Sequence, residues 1–575
     1  MNGEGIGLAS RERRWLLLLL VLYFLSGLFD HSLWGPNDCR EGAMIADMVR
    51  NGEWVTPTLN GVSYLEKPPL LHWTGVVFCR AAGTVNEGLV RLPAALYGLG
   101  AVLLVWLWGR RMGRERAGLA AAFFCGTSFK FMEYSKIVLT DTCLSFMVML
   151  SLFLFWGAYT ATGRKGPRYA AFLLVSALSF YAKGLLGPGF VWVPVGLFLL
   201  FQRKWKLAVV LPLLFLPLFL LVVAPWAWAL WKAGGMDFLR GVFWDNQVGR
   251  FITFSDASLP HDPYYIHKEA ITYYLITLPG ALLPWTLLVI PAMFRWFRRG
   301  QGLDHPLGVF MRFCVVGMLL ILHASAAKVS IYALPLFPIL FLMTAIWVED
   351  AATRWETKLD RWPLLWTGWV LTGGMLLAPI AYGLLFVLPQ SIRWKYLEHM
   401  DVVRDIGRPK AVFTALLAVA LFGLVLFLVR RLRAGIRRGG RARVFLLMPA
   451  ALAGAVMLSM AVVYPVYDFQ RTQKPFAELL AREMAQGRFI GLALNEEKYI
   501  GAFTFYTGQR IPLLSTPRAI PRKLSEATGS TGFVVKTSDL EEAGEKWGLD
   551  AFPALKAEHA GYGSDKFRLL ITDPI

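Results

Sequence analysis

A polar stretch from Asp38 to Lys67, DCREGAMIADMVRNGEWVTPTLNGVSYLEK, lies between apolar runs and carries Asp38, Glu41, Glu66 and Lys67. Farther along, Asp141, Lys183, Arg250, His261, Lys328 and Tyr332 stand at the ends of other apolar runs or between them. Lys67, Lys183, Arg250 and Lys328 are the residue types that clamp a phosphate by charge-assisted hydrogen bonds, arginine bidentately. A carboxylate inside such a basic cluster stays ionised and can serve as a base or orient an acceptor. A phosphate leaving group held by preorganised cations away from bulk water is a strong source of rate. Glu66, with Asp38 or a histidine, offers oxygen and nitrogen ligands suited to a divalent ion. Singly, each residue also has a plain structural role. Asp38 and Asp141 can cap helices, and Lys183 and Arg250 can extend to a membrane interface.

The elements that must position these residues are membrane helices. Of 575 residues, 56% are hydrophobic and 17% charged, against about 25% charged in soluble domains. The net charge of +20, from 59 basic and 39 acidic residues, falls in short clusters between apolar runs. That is a topology signal rather than a nucleic-acid-binding face, and nucleic acid is excluded as a partner. At roughly 20 residues per crossing the sequence predicts about thirteen spans. They cover 14–33, 88–108, 117–133, 141–160, 169–183, 186–201, 207–231, 270–294, 308–325, 331–348, 363–388, 411–430 and 444–464. The first is read as a retained anchor. Lys183, Gly184 and Pro188 interrupt the run at 169–201 and divide it in two.

With the N-terminus inside, the basic loops at 110–116, 164–168, 203–206, 295–299 and 430–443 are all cytoplasmic, as the positive-inside rule requires. Loops 30–87, 232–269 and 390–410, the turns near Glu133–Asp141, Lys183–Gly187 and Ala326–Ser330, and the tail from Tyr464 then lie outside. The charged candidates gather on that outer face, and opposite charges recurring in non-adjacent loops there favour a site. The residues Ala43 to Trp54 read as an amphipathic helix lying on the membrane. Cys39, Cys79, Cys125, Cys143 and Cys314 show no metal or redox spacing, and Cys39 reads as a small filler.

The fold class expected is therefore an all-α polytopic membrane bundle over residues 1–464, followed by a small soluble α/β domain over 465–575. In that tail, Pro475 to Gln486 reads as an amphipathic helix, and Phe489–Leu494, Gly532–Lys536 and Phe567–Thr572 read as strands. It holds no phosphate loop, metal spacing or nucleophile elbow, so it reads as a structural or acceptor-guiding cap.

The segments Asp38-Cys39-Arg40-Glu41-Gly42, Gly52-Glu53-Trp54-Val55-Thr56-Pro57 and Leu65-Glu66-Lys67-Pro68-Pro69 resemble the first outer loop of the bacterial lipid A aminoarabinose transferases. With the protein O-mannosyltransferases, these belong to the polytopic GT-C type glycosyltransferases that use lipid-phosphate sugars. Val90-Arg91-Leu92-Pro93, Leu139-Thr140-Asp141, Phe180 to Gly184, Phe243 to Phe251, His261 to Tyr265, Leu283-Pro284-Trp285 and Ala327 to Pro335 are similar to further family segments, in the family's order.

The resemblance implies that Asp38 is the key acidic residue, supported by Asp141, with phosphate contacts from Lys67, Arg250, Tyr332 and Lys183. It associates Glu66 and a second-loop histidine with a divalent ion. This chain has Asp245-Asn246-Gln247 in the matching stretch, and His261 is the nearest histidine.

The function expected is transfer of a sugar from a polyprenyl-phosphate donor to a lipid A-like lipid or other envelope glycan acceptor. It would take place at the periplasmic face of a bacterial inner membrane. Transfer to protein Ser/Thr is the alternative within enzymes. A flippase or transporter of lipid-linked sugars is the alternative outside them; the long outer loop and the tail disfavour it, since transporters usually bind at mid-membrane on broken helices.

Overall fold

The computed structural model describes residues 10–249, 269–298, 306–325, 328–387, 423, 430, 440–514, 516–527, 529–557 and 564–572. Among these, six segments are long and apolar enough to cross a membrane: Glu87–Arg111, Thr140–Tyr159, Trp205–Gln247, Pro306–Ala324, Ser330–Arg354 and Arg441–Ala461. The sequence segment at 411–430 lies almost wholly outside the described residues.

Helix α1 (Ser10–Leu25) leads into a turn and then α2 (Gly35–Asn51). A two-residue hairpin follows, β1 (Thr58–Leu59) paired with β2 (Val62–Ser63), and then α3 (Leu70–Ala82). Helix α4 (Glu87–Arg111) starts at Asn86, whose side chain accepts from Leu89 N at 2.9 Å. That contact satisfies one of the orphan donors of the first turn. Helices α5 (Glu115–Gly126), α6 (Phe129–Tyr134) and α7 (Thr140–Tyr159) continue the bundle.

The run expected at 169–201 is divided as its sequence indicates, into α8 (Gly166–Leu178), the single turn α9 (Phe180–Lys183) and α10 (Leu186–Phe201). The break falls at Gly184, with φ of 65°, a conformation that suits glycine. Helix α11 (Trp205–Leu239) kinks at Gly234-Gly235 and passes into a π-helical segment, Arg240–Gly249. After it come α12 (Tyr273–Ala281), α13 (Thr286–Phe297) and α14 (Pro306–Ala324). A 3₁₀ segment (Ser330–Leu336) leads into α15 (Phe337–Arg354), and α16 (Lys358–Val387) and α17 (Arg441–Arg471) complete the apolar helices described. Leu213, Leu216, Leu220 and Leu221 of α11 face outward, as lipid-facing residues do.

Beyond Arg471, α18 (Lys474–Ala485) buries Phe476, Leu479 and Leu480 where the sequence predicts an amphipathic helix. Strands β3 (Phe489–Leu492), β4 (Thr531–Lys536) and β6 (Phe567–Thr572) fall on the expected segments, and β5 (Ala554–Leu555) adds a fourth. The sheet order is β3-β4-β6-β5, with β3 and β4 parallel and the other pairs antiparallel. Helix α19 (Glu497–Thr507) joins β3 to the rest.

The expectation for Ala43 to Trp54 is corrected. The helix exists, but every residue from Asp38 to Met48 is buried. Its polar side chains are neutralised inside the protein: Arg40 pairs with Glu41 and Glu497, and Asp47 pairs with Arg50. What covers α2 is protein, chiefly α19. Arg50 Nη1 and Nη2 donate to the carbonyls of Thr504 and Phe505 at 3.3 and 3.0 Å.

Candidate active site

Three groups of ionisable side chains gather around the first loop and the turns expected beside it. The first holds Asp38. Its carboxylate is fully buried and pairs with Arg91 of α4, Nη2 to Oδ2 at 2.6 Å. It also accepts from the backbone N–H of Trp34 at 3.0 Å and of Val138 at 2.9 Å. Arg91 in turn donates to the carbonyls of Leu28, His31 and Ser32, tying down the turn between α1 and α2. Asp38 lies in the first turn of α2 rather than at its N-cap, which is Trp34; by accepting from Trp34 N it fixes the start of the helix, and it also ties that helix to the chain just before α7.

The second group centres on Glu41, which has no exposed side-chain surface. Its Oε1 accepts from Lys67 Nζ at 2.8 Å and from Arg40 Nη2 at 2.9 Å; its Oε2 lies 2.8 Å from His72 Nε2. Burial alone would raise the pKa of Glu41, but Lys67, Arg40 and His72 outweigh it and hold the carboxyl well below the usual carboxylate range. Glu66 accepts from the Tyr64 hydroxyl. Burial first, and then Glu66, push that phenol far above its ordinary value, so it remains a donor. Burial likewise raises the Cys39 thiol, which fits the filler role rather than a nucleophile.

The sign of the Glu41 shift predicts a pH effect. A depressed folded pKa contributes stability that is fully present above the ordinary carboxylate value, 4.5 here, and is lost as pH falls through the folded value. Thermal midpoints of the wild type should therefore fall on acidification below about pH 4.5, and Glu41→Gln should flatten that dependence.

The third group unites Asp141, Lys183 and Tyr332 from three separate elements. Lys183 Nζ donates to Asp141 Oδ1 and stands 4.3 Å from the centroid of the Tyr332 ring. Lys328 is buried nearby in sequence, with Nζ donating to the Ser325 carbonyl at 2.8 Å and the Glu269 carbonyl at 3.4 Å. The π-helical segment bridges the second and third groups. Asn246 Nδ2 donates to the Leu65 carbonyl at 3.3 Å, and Gln247 Oε1 accepts from Leu185 N at 3.0 Å. A Cβ at Gly184 would lie 1.8 Å from Gln247 Oε1, so this close approach requires glycine.

Arg250 and His261 lie outside the described residues. Of the two residues expected at a metal, Glu66 alone is among those described. Among the described residues no three His, Cys, Asp or Glu side chains converge as a metal set.

Arg91, Arg40, His72 and the central place of Glu41 are missing from the candidates drawn from sequence. Arg91 had a usable signal, since a charge inside an apolar helix is costly enough to suggest a partner. His72, in the apolar helix after Pro68-Pro69, carried a weaker one.

Beside the third group opens a cavity of about 910 Å³. Its wall is largely apolar and includes Met132, Ile276, Leu283 and Val456, with Ser330 at the turn that also carries Lys328 and Tyr332. The arrangement can take a long apolar chain; Lys130 is the cation of its lining, paired with Glu133 at 2.7 Å, and Ser330 is where it meets the turn of Lys328 and Tyr332.

The described residues thus form a mostly helical bundle, six of whose segments could cross a membrane, with ion-paired loops beside a largely apolar cavity. Residues 66–229 match the family described as dolichyl-phosphate-mannose-protein mannosyltransferase. The fold is similar to the crystal structure of ArnT from Cupriavidus metallidurans bound to undecaprenyl phosphate, with a TM-score of 0.72, 17% identity and 98% of each chain covered. The same protein in the apo state gives a TM-score of 0.71 at 18% identity, again over 98% of each chain.

In sequence, the chain is 31% identical over 344 residues to the undecaprenyl phosphate-alpha-4-amino-4-deoxy-L-arabinose arabinosyl transferase of Pseudomonas aeruginosa (strain UCBPP-PA14), covering 58% of this chain and 59% of that protein. The enzyme of the same name from Edwardsiella ictaluri is 28% identical over 340 residues, covering 58% and 59%. The chain thus spans about three fifths of the length of the curated relatives it matches. The resemblance of the loop motifs to aminoarabinose transferase-like glycosyltransferases is found again in sequence and in fold.

Proposed function

We propose that this protein is a glycosyltransferase that moves a sugar from a polyprenyl-phosphate donor to a lipid A-like or other envelope acceptor. The observation that carries the reading is the apolar cavity beside the turn that brings Tyr332 against Lys183 and Asp141. A polyprenyl chain would occupy the cavity, and its phosphate would meet Lys183, Lys328, Tyr332 and, across the bridging segment, Lys67, with Arg250 a further contact implied by the sequence resemblance. The full-length fold likeness to a protein whose structure holds undecaprenyl phosphate supports the donor class.

In the reaction, an acceptor oxygen forms a bond to the anomeric carbon while the bond from that carbon to the phosphate oxygen breaks. The lipid phosphate leaves with the electron pair and gains negative charge, which the lysines stabilise. An ionised phosphate acceptor brings no proton to remove. For a hydroxyl acceptor the proton passes to Asp38 or Asp141, and each must first exchange its cation, Arg91 or Lys183. A divalent ion, if bound, would be held by Glu66 and His261. The topology proposed is that of about thirteen spans in a bacterial inner membrane. The N-terminus is cytoplasmic, residues 1–464 form the transferase domain, and residues 465–575 form a periplasmic domain.

The test is transfer by the purified full chain from an undecaprenyl-phosphate-linked sugar to lipid A, followed by mass spectrometry. Absence of any transferred sugar with aminopentose and hexose donors would defeat the proposal. Gly280 lines the cavity and has open space around its Cβ position. Gly280→Phe should raise KM for a long-chain donor roughly tenfold, about 1.4 kcal/mol, within the usual cost of overpacking. A short-chain donor should be little affected. The match of residues 66–229 to the mannosyltransferase family favours one second reading, transfer to protein Ser/Thr, which a peptide acceptor in the same assay would reveal.

A further inference from the structure

The α/β unit that follows α17 grips the loop carrying Glu41, Glu66 and Lys67 at two places. At α2, Arg40 Nη1 donates to Glu497 Oε2 of α19 at 2.8 Å, while Arg40 Nη2 donates to Glu41 Oε1 at 2.9 Å. Gly501 of α19 lies so close that a Cβ there would be 2.6 Å from the Cys39 carbonyl oxygen, a backbone atom that cannot swing away. At the β1–β2 hairpin, Asn60 Nδ2 donates to the Ile511 carbonyl and Ile511 N donates to Asn60 Oδ1, both at 2.8 Å. The hairpin leads directly into Tyr64, Glu66 and Lys67.

A continuous ionic chain results: Glu497, Arg40, Glu41, Lys67. Its inner members are almost dry, with side-chain exposures of 5% for Arg40 and 0% for Glu41; Lys67 at 14% and Glu497 at 31% form its two wetter ends. Charges interact more strongly when removed from water, so loss of one charge in such a chain is felt by its neighbours. A lysine on a flexible four-carbon stem needs such a fixed counter-charge to hold one position.

We propose that the C-terminal α/β unit is part of the donor site, acting through Glu497, Arg40 and Glu41 to position Lys67. The inference rests on the proposed role of Lys67 at the donor phosphate. Glu497, Arg40 and Glu41 are positioning residues, and of these four side chains only that of Lys67 touches the donor. The unit then does more than cap the bundle. Its docking sets the geometry of the phosphate contact.

The experiment uses the full-length protein in detergent or nanodiscs and two readouts, donor KM in the transfer assay and Kd for undecaprenyl phosphate. Glu41→Gln reports on the chain directly but replaces a fully buried charge. Glu497→Gln alters the partly exposed end and leaves the core of α2 intact, so it is the decisive variant. We expect Glu497→Gln to raise donor KM and the Kd for undecaprenyl phosphate about fivefold, the low end of coupling between linked sites. kcat and the thermal midpoint should stay near wild type, and Glu497→Asp should recover part of the loss. In a Lys67→Ala background, Glu497→Gln should change the Kd no further. A Kd unchanged by Glu497→Gln, or shifted equally with and without Lys67, overturns the inference while leaving the transferase reading intact. A wild-type chain that neither binds undecaprenyl phosphate nor transfers sugar overturns that reading itself.

Discussion

Arg91→Leu should destabilise the protein by about 3–5 kcal/mol, the usual cost of removing one partner from a buried ion pair. The expectation follows from what Arg91 holds. It neutralises a fully buried carboxylate, and the same guanidinium satisfies three carbonyls in the turn between α1 and α2. Leucine would leave all of these without their donor, and an unpaired carboxylate is the most costly of them. Asp38→Asn should cost less, because an amide oxygen can still accept from Val138 N and the arginine keeps its carbonyls. A lower thermal midpoint and reduced yield of folded protein would be the direct readouts.

The pair also allows the anchoring and chemical roles of Asp38 to be separated. In Asp38→Asn combined with Arg91→Gln, both charges are gone and a hydrogen bond between the two amides can form, so most stability should return. Transfer should not return if Asp38 serves the acceptor. Transfer near the wild-type rate in that double variant would make Asp38 an anchor only, and Asp141 would then be the remaining carboxylate of the proposal. The geometry makes this a real choice, because a carboxylate already bound to a guanidinium and two backbone amides is a poor base until one of them moves away.

Much of this arrangement was legible in the residues, for reasons that differ by element. The spans between 87 and 201 are readable because a bilayer requires long apolar runs, and a glycine with positive φ breaks the run at the position where lysine and proline also interrupt it. The meeting of Asp141 with Lys183 was legible only in part. Charges at span ends are expensive and so invite pairing, but which charge pairs with which depends on how helices pack. The reading of α2 failed on the same ground. An amphipathic pattern reports that one face is polar, and it cannot tell water or headgroups from a protein partner that supplies counter-charges. Arg40 and Glu41 look like surface residues in sequence and are buried because Glu497, far along the chain, supplies the outer end of their network.

Lys183→Ala should lower kcat by about 10²–10³, the range seen when one preorganised donor to developing charge is removed. Lys183 is held against Asp141 and over the Tyr332 ring, so its ammonium is fixed before a donor arrives. A sugar–phosphate–lipid diester carries one negative charge, and the departing lipid phosphate acquires a second as the glycosidic bond breaks. A fixed and largely buried cation gains most from that second charge, since the surrounding dielectric is low and no reorganisation is needed. The loss should therefore fall on kcat more than on KM, the pattern of an interaction made chiefly in the transition state. Lys183→Arg keeps the charge but not the shape, and should retain more rate than alanine if charge is what matters. Asp141 loses its cation in Lys183→Ala, so Lys183→Ala with Asp141→Asn serves as the control for that loss. Its folding should recover while its kcat stays low. A kcat within about threefold of wild type in Lys183→Ala, measured with an undecaprenyl-phosphate-linked donor, would remove the lysine from the phosphate site and leave it as the structural counter-charge of Asp141.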